Sequence, residues 1–116
     1  VIPSAVFCEP EAAMVGLTTE QAEAQGIAYK TSKAMFAANG KARAMGHADG
    51  LVKLVYDPET RRLLGCHIVG PHAADLVTEA AMAIATDSTV DTIGTTVVHG
   101  HPTLSEVVKS AARQAR

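Results

Sequence analysis

Aromatic rings, cysteines and charge of one sign are all scarce in this 116-residue sequence. Tryptophan is absent and aromatics reach only 3%. Ten Lys/Arg stand against twelve Asp/Glu, for a net charge of −2. With no Lys/Arg cluster interleaved with aromatics, the electrostatic basis for a nucleic-acid partner is missing. No apolar run approaches the ~20 residues of a membrane span, and no basic stretch leads into an apolar one as in a signal peptide. Cys8 and Cys66 are the only cysteines, far apart and outside any Cys-x-x-Cys or zinc-ribbon spacing. Free buried thiols in a reducing, cytoplasmic compartment are expected, and nothing here could cycle as a dithiol. Gly-x-Gly-x-x-Gly and P-loop motifs are also missing, so the chain has no means of its own to hold a dinucleotide or a nucleoside triphosphate.

What remains is the profile of a globular domain. Hydrophobic residues make up 47% and charged residues 19%, with the two signs interspersed. The length fits one domain, 1–116. Val1 is not an initiator methionine, and Val1 to Phe7 already read as a strand, which points to a fragment of a longer polypeptide. Thr18-Thr19-Glu20-Gln21 is a capping box, predicting a helix over about 19–25 that stops at Gly26. Ile27 to Ala37 alternates roughly between apolar and polar and ends before the turn dipeptide Asn39-Gly40. Gly50 to Tyr56 and Arg62 to Gly70, joined by the turn-prone Asp57-Pro58-Glu59-Thr60-Arg61, form the clearest hairpin.

Beyond Pro71 the period changes. Ala73, Leu76, Val77, Ala80, Ala81, Ile84 and Ala85 fall on one stripe of a four-turn helix, which needs a sheet to cover. Val90 to Ile93 reads as a short turn or helix and Thr95 to Val98 as β-prone. A final helix is expected from Thr103, carrying Leu104, Val107, Val108, Ala111 and Ala112. Hairpin strands followed by consecutive helices indicate an α+β fold, an antiparallel sheet with helices packed on one face. Gly16, Gly40, Gly46 and Gly50 read as turn or helix-end glycines, and Met14, Met35, Met45 and Met82 as packing residues.

The chemistry concentrates in Val98-His99-Gly100-His101-Pro102-Thr103-Leu104-Ser105-Glu106. Imidazole is suited to proton transfer near neutral pH. With Thr103 as N-cap, Glu106 stands at N3, over the first turn and close to His101, where it could orient and charge-stabilise the ring. Thr103-x-x-Glu106 is equally a capping box, so from the residues alone the carboxylate could do no more than cap the helix. A metal site on His99 and His101 lacks two further ligands at recognisable spacing. His47, His67 and His72 are scattered and carry no assigned role.

Taken in order and spacing, Ile2-Pro3-Ser4, Glu9-Pro10-Glu11, Val15-Gly16-Leu17-Thr18, Phe36 to Ala42, Gly50 to Leu54, Gly65 to Pro71 and His101 to Glu106 resemble the C-terminal interface domain of the pyridine nucleotide-disulfide oxidoreductases. The resemblance runs over essentially the whole chain. Leu104, Ser105 and His99 resemble the dihydrolipoamide dehydrogenase version, whereas glutathione-reductase relatives carry a small or polar residue where Leu104 stands. Mercuric reductases end in paired cysteines that are not seen before Arg116. Gly100, often alanine in the family, and His72, often asparagine, are departures.

The resemblance implies the family's dimerisation-domain sandwich fold and a homodimeric flavoenzyme that uses FAD and NAD on a lipoyl-bearing protein or a small dithiol/disulfide. His101 would be the catalytic base and Glu106 its carboxylate partner, acting in the active site of the opposite subunit. Backbone at His101 and Pro102, often joined by a cis peptide, would lie near the partner's FAD. No metal is implied, and the fragment alone is expected to be inactive. A related glutathione- or mercuric-reductase-like enzyme, or a non-catalytic homodimerisation module, are the alternative readings.

Overall fold

The computed structural model describes residues 1–116. Five antiparallel strands form one sheet in the order β1-β2-β5-β4-β3. They are β1 (Ser4–Val6), β2 (Ala12–Gly16), β3 (Lys30–Met35), β4 (Leu51–Tyr56) and β5 (Leu63–Val69). Helix α1 (Thr19–Ala24) follows β2, and a 3₁₀ turn (Phe36–Ala38) leads from β3 into α2 (Gly40–Ala44). Helix α3 (Ala73–Ala85), a π-helical turn (Thr92–Thr96) and α4 (Glu106–Arg113) complete the chain. The α+β architecture expected from the sequence is the one observed.

Register explains the core. Antiparallel pairing aligns Ala13 with Ile68, Ile68 with Val52 and Val52 with Ala34; it likewise aligns Val15, Cys66, Leu54 and Ser32. Side chains alternate faces along a strand, so these rows share one face, and most are buried. Helix α3 lies on β2 and β5, and α4 on β3 and β4. Alanine-rich α3 buries Ala73, Val77, Ala80 and Ala83, small residues that let the helix approach the sheet closely. Glycine is required where β2 meets β5: a Cβ on Gly65 would stand 2.0 Å from the Leu17 carbonyl oxygen.

The α1 capping box is complete, with the Gln21 amide donating to Thr18 Oγ1 and the Thr18 amide to Gln21 Oε1, both at 3.0 Å. Several expectations need correction. Strand β2 escapes a propensity reading because Ala12-Ala13-Met14 is poor in β-branched residues; it is a strand because β1 and β5 pair with it on either side. The β-prone Thr95 to Val98 forms no strand, since Thr92–Thr96 closes as a π-helical turn and no sheet edge is offered to it. Asn39-Gly40 is not a loop tip but the start of α2, where Asn39 Oδ1 accepts from the Ala42 amide at 2.8 Å. Met14, Met35 and Met82 are exposed, and so is Cys8; only Cys66 is a buried thiol, and neither is in a disulfide.

Candidate active site

Three elements converge on the segment between the π-helical turn and α4. Its entry is tied by the Val97 amide, which donates to the Thr92 carbonyl at 2.9 Å. From Val98 to His101 no backbone amide finds an acceptor within the chain, so side chains hold this stretch. Upstream, His99 Nε2 meets Glu79 Oε2 of α3 at 2.7 Å. Downstream, Asn39 Nδ2 donates to the Thr103 carbonyl at 3.0 Å while Asn39 Oδ1 caps α2. The peptide between His101 and Pro102 is cis.

His101 stands between these anchors and points outward. Its side chain is 80% exposed, that of Glu106 27%. Nδ1 faces both carboxylate oxygens of Glu106, at 3.0 and 3.1 Å. The tautomer that suits this geometry carries the proton on Nδ1, donating to the carboxylate and leaving Nε2 as a free acceptor turned to solvent. Glu106 Oε1 also accepts from the Thr103 amide at 3.0 Å. That amide contact first, and the His101 ring second, hold the Glu106 carboxyl below its ordinary range.

One carboxylate therefore accepts from the Thr103 amide and braces the ring of His101. Only half of the capping box forms. The Thr103 hydroxyl does not serve the Glu106 amide; it donates to the Gly100 carbonyl at 2.6 Å and lies 2.9 Å from Ser105 Oγ. Thr103 to Ser105 consequently form a turn, and α4 begins at Glu106 rather than at Thr103 as the motif suggested. The hydroxyl thus closes the loop around His101.

His99 and His101 do not converge as metal ligands, because one turns inward to Glu79 and the other outward to Glu106. His67 is satisfied by the Leu17 carbonyl at 3.0 Å, and His72 lies 3.6 Å from Asp75. A groove of about 180 Å³ runs beside the His101–Glu106 pair, lined by Met35, Asn39, Gly40 and Val107 among others. Sequence reasoning overlooked Asn39, which it read as a turn residue, and Glu79, which it placed on no site. No local signal marked the Asn39–Thr103 contact, which spans 64 residues.

The match to a family model covers residues 2–112, under the description pyridine nucleotide-disulphide oxidoreductase, dimerisation domain. Dihydrolipoyl dehydrogenase 1, mitochondrial, of Arabidopsis thaliana is 44% identical over 111 residues, 96% of this chain and 22% of that protein. Dihydrolipoyl dehydrogenase of Bacillus subtilis is 44% identical over 115 residues, 99% of this chain and 24% of its own length. Among solved structures, LpdA from Mycobacterium tuberculosis superposes with a TM-score of 0.89 at 28% identity, covering 97% of this chain and 24% of that one. The chain thus spans about a quarter of the length of the relatives it matches.

Proposed function

The chain belongs to the dimerisation-domain family of the pyridine nucleotide-disulphide oxidoreductases, and from that premise we propose that it serves a dihydrolipoyl dehydrogenase-like enzyme by lending the His101–Glu106 pair to the active site of a second copy. The observation that carries this reading is the His101 ring itself, braced at Nδ1 by Glu106 and free at Nε2 on an exposed surface.

His101 Nε2 takes the proton from a substrate thiol, and the resulting thiolate attacks a disulfide carried by the remainder of the protein. The imidazolium so formed faces the Glu106 carboxylate, whose charge is secured by the Thr103 amide. In the reverse direction the same nitrogen returns the proton to the leaving sulfur. FAD and NAD, held by the rest of the enzyme, supply the electron transfer. This chain offers such a flavin only an edge: the His101 carbonyl accepts no hydrogen bond within the chain and Pro102 is exposed, so both are available to a donor from outside. The isolated chain is inactive on this reading, the assembly is a homodimer, and the substrate is a lipoyl-bearing protein or a small dithiol. Its unpaired cysteines suit a reducing compartment such as the cytoplasm.

The test is His101→Gln in the full-length protein, assayed by dihydrolipoamide oxidation. Turnover should fall by roughly 10²- to 10⁴-fold, the range for loss of a general acid-base group. Unchanged turnover would remove His101 from the reaction.

A further inference from the structure

The His99–Glu79 contact is poorly explained by stability. The side chain of His99 is 5% exposed, and with Nε2 engaged by Glu79 its Nδ1 is buried with no hydrogen-bond partner. A buried polar ring with half its capacity unmet costs more than an aliphatic side chain of similar volume would. The pair sits where it can do something a leucine could not. It joins a stretch whose own amides bond to nothing in the chain to α3, just upstream of the Gly100 carbonyl that the Thr103 hydroxyl holds. Helix α3 is in turn packed on β2 and β5.

We propose that His99, through Glu79, is a positioning residue that fixes the direction in which His101 presents Nε2. The inference rests on the acid-base reading of His101 above and adds the upstream half of the clamp, whose downstream half is Asn39 on the Thr103 carbonyl. Val98, beside His99, is exposed and makes no comparable anchor. Without the hydrogen bond to Glu79 the segment from Val98 to His101 would be held by Val97, by the Thr103 hydroxyl on the Gly100 carbonyl and by Glu106 on the ring, none of which ties it to α3, and the ring could shift. Misplacement by about an ångström costs on the order of 10²-fold in well-aligned reactions, so even partial loosening is measurable.

A double-mutant cycle in the full-length protein, with dihydrolipoamide as the probe substrate, tests the clamp. His99→Ala should lower kcat by about tenfold or more with KM within about twofold. On a His101→Gln background the same substitution should bring no further loss, because a residue that acts only through His101 has nothing left to position. His99→Gln, whose amide reaches the place of Nε2 and can still donate to Glu79, should recover most of the rate. A multiplicative loss on the His101→Gln background, or no loss in His99→Ala alone, overturns the proposal. If His99→Ala does not accumulate in folded form, as judged by its thermal melt, Glu79→Ala replaces it in the cycle, and the same two outcomes overturn the proposal; Glu79 is 29% exposed and tolerates truncation better. If His101→Gln itself is without effect, the failure belongs to the acid-base reading and not to the clamp.

Discussion

Asn39 makes two contacts that a pair of substitutions can separate. Its Oδ1 caps α2 through the Ala42 amide at 2.8 Å, and its Nδ2 donates to the Thr103 carbonyl at 3.0 Å. Asn39→Ser keeps an N-cap acceptor of nearly equal quality but is too short to reach Thr103. Asn39→Ala loses both. Asn39 is buried and the Thr103 carbonyl lies in a half-buried turn, so the lost tie should cost about 1 kcal/mol, a typical net hydrogen bond. The cap contributes about the same again. In equilibrium urea unfolding of the chain, with a slope of about 1 kcal/mol/M, the Ser variant should unfold near 1 M earlier than wild type and the Ala variant near 2 M earlier. A Ser variant that unfolds at the wild-type midpoint would refute the reasoning, for the interelement tie would then contribute nothing.

Two further outcomes follow from the ionisable groups. The Glu106, Asp91 and Asp57 carboxyls are all held below their ordinary values of 4.5 and 3.8, by the Thr103 amide, by Arg61, and by the Thr60 and Glu59 amides respectively. Groups whose values fall on folding stabilise the fold fully above the ordinary value and lose that effect as pH drops through the lower folded one. Stability should therefore hold level down to about pH 5 and decline below about pH 4, and Glu106→Gln should flatten the decline; an identical acid limb in the variant would contradict the assignment. Burial, with the charge of Glu79 adding to it, pushes the Cys66 thiol up to about 12. Iodoacetamide at about pH 8, read by peptide mass spectrometry, should label the exposed Cys8 in the native protein and Cys66 only after denaturation; equal labelling rates would contradict the packing of β5 against α3.

Much of the fold could be read directly because the relevant signals are local. The Thr18 capping box, the hairpin of β4 and β5 around Asp57 to Arg61 and the apolar stripe of α3 each depend on residues within a few positions of one another, and each formed within a residue or two of its expected bounds. Strand β2 did not announce itself, since its identity comes from pairing with β5, about 50 residues away in sequence, and not from its own alanines. The exposed methionines misled for a similar reason: an apolar side chain marks a core only where the face it projects from is covered.

The candidate site divides along the same line. The residue types and their spacing determined that His101 and Glu106 lie on either side of a proline and a turn. What the spacing left open was whether the carboxylate caps the helix or holds the ring. Tertiary structure decided for the ring: the Thr103 hydroxyl turns back to Gly100, α4 starts only at Glu106 with no side-chain cap, and the carboxylate holds His101 Nδ1 together with the Thr103 amide that precedes the helix. The inward turn of His99 to Glu79 and the outward turn of His101 were likewise undetermined by sequence. Two histidines a residue apart are chemically alike, and only the position of α3 beneath one of them sets their directions.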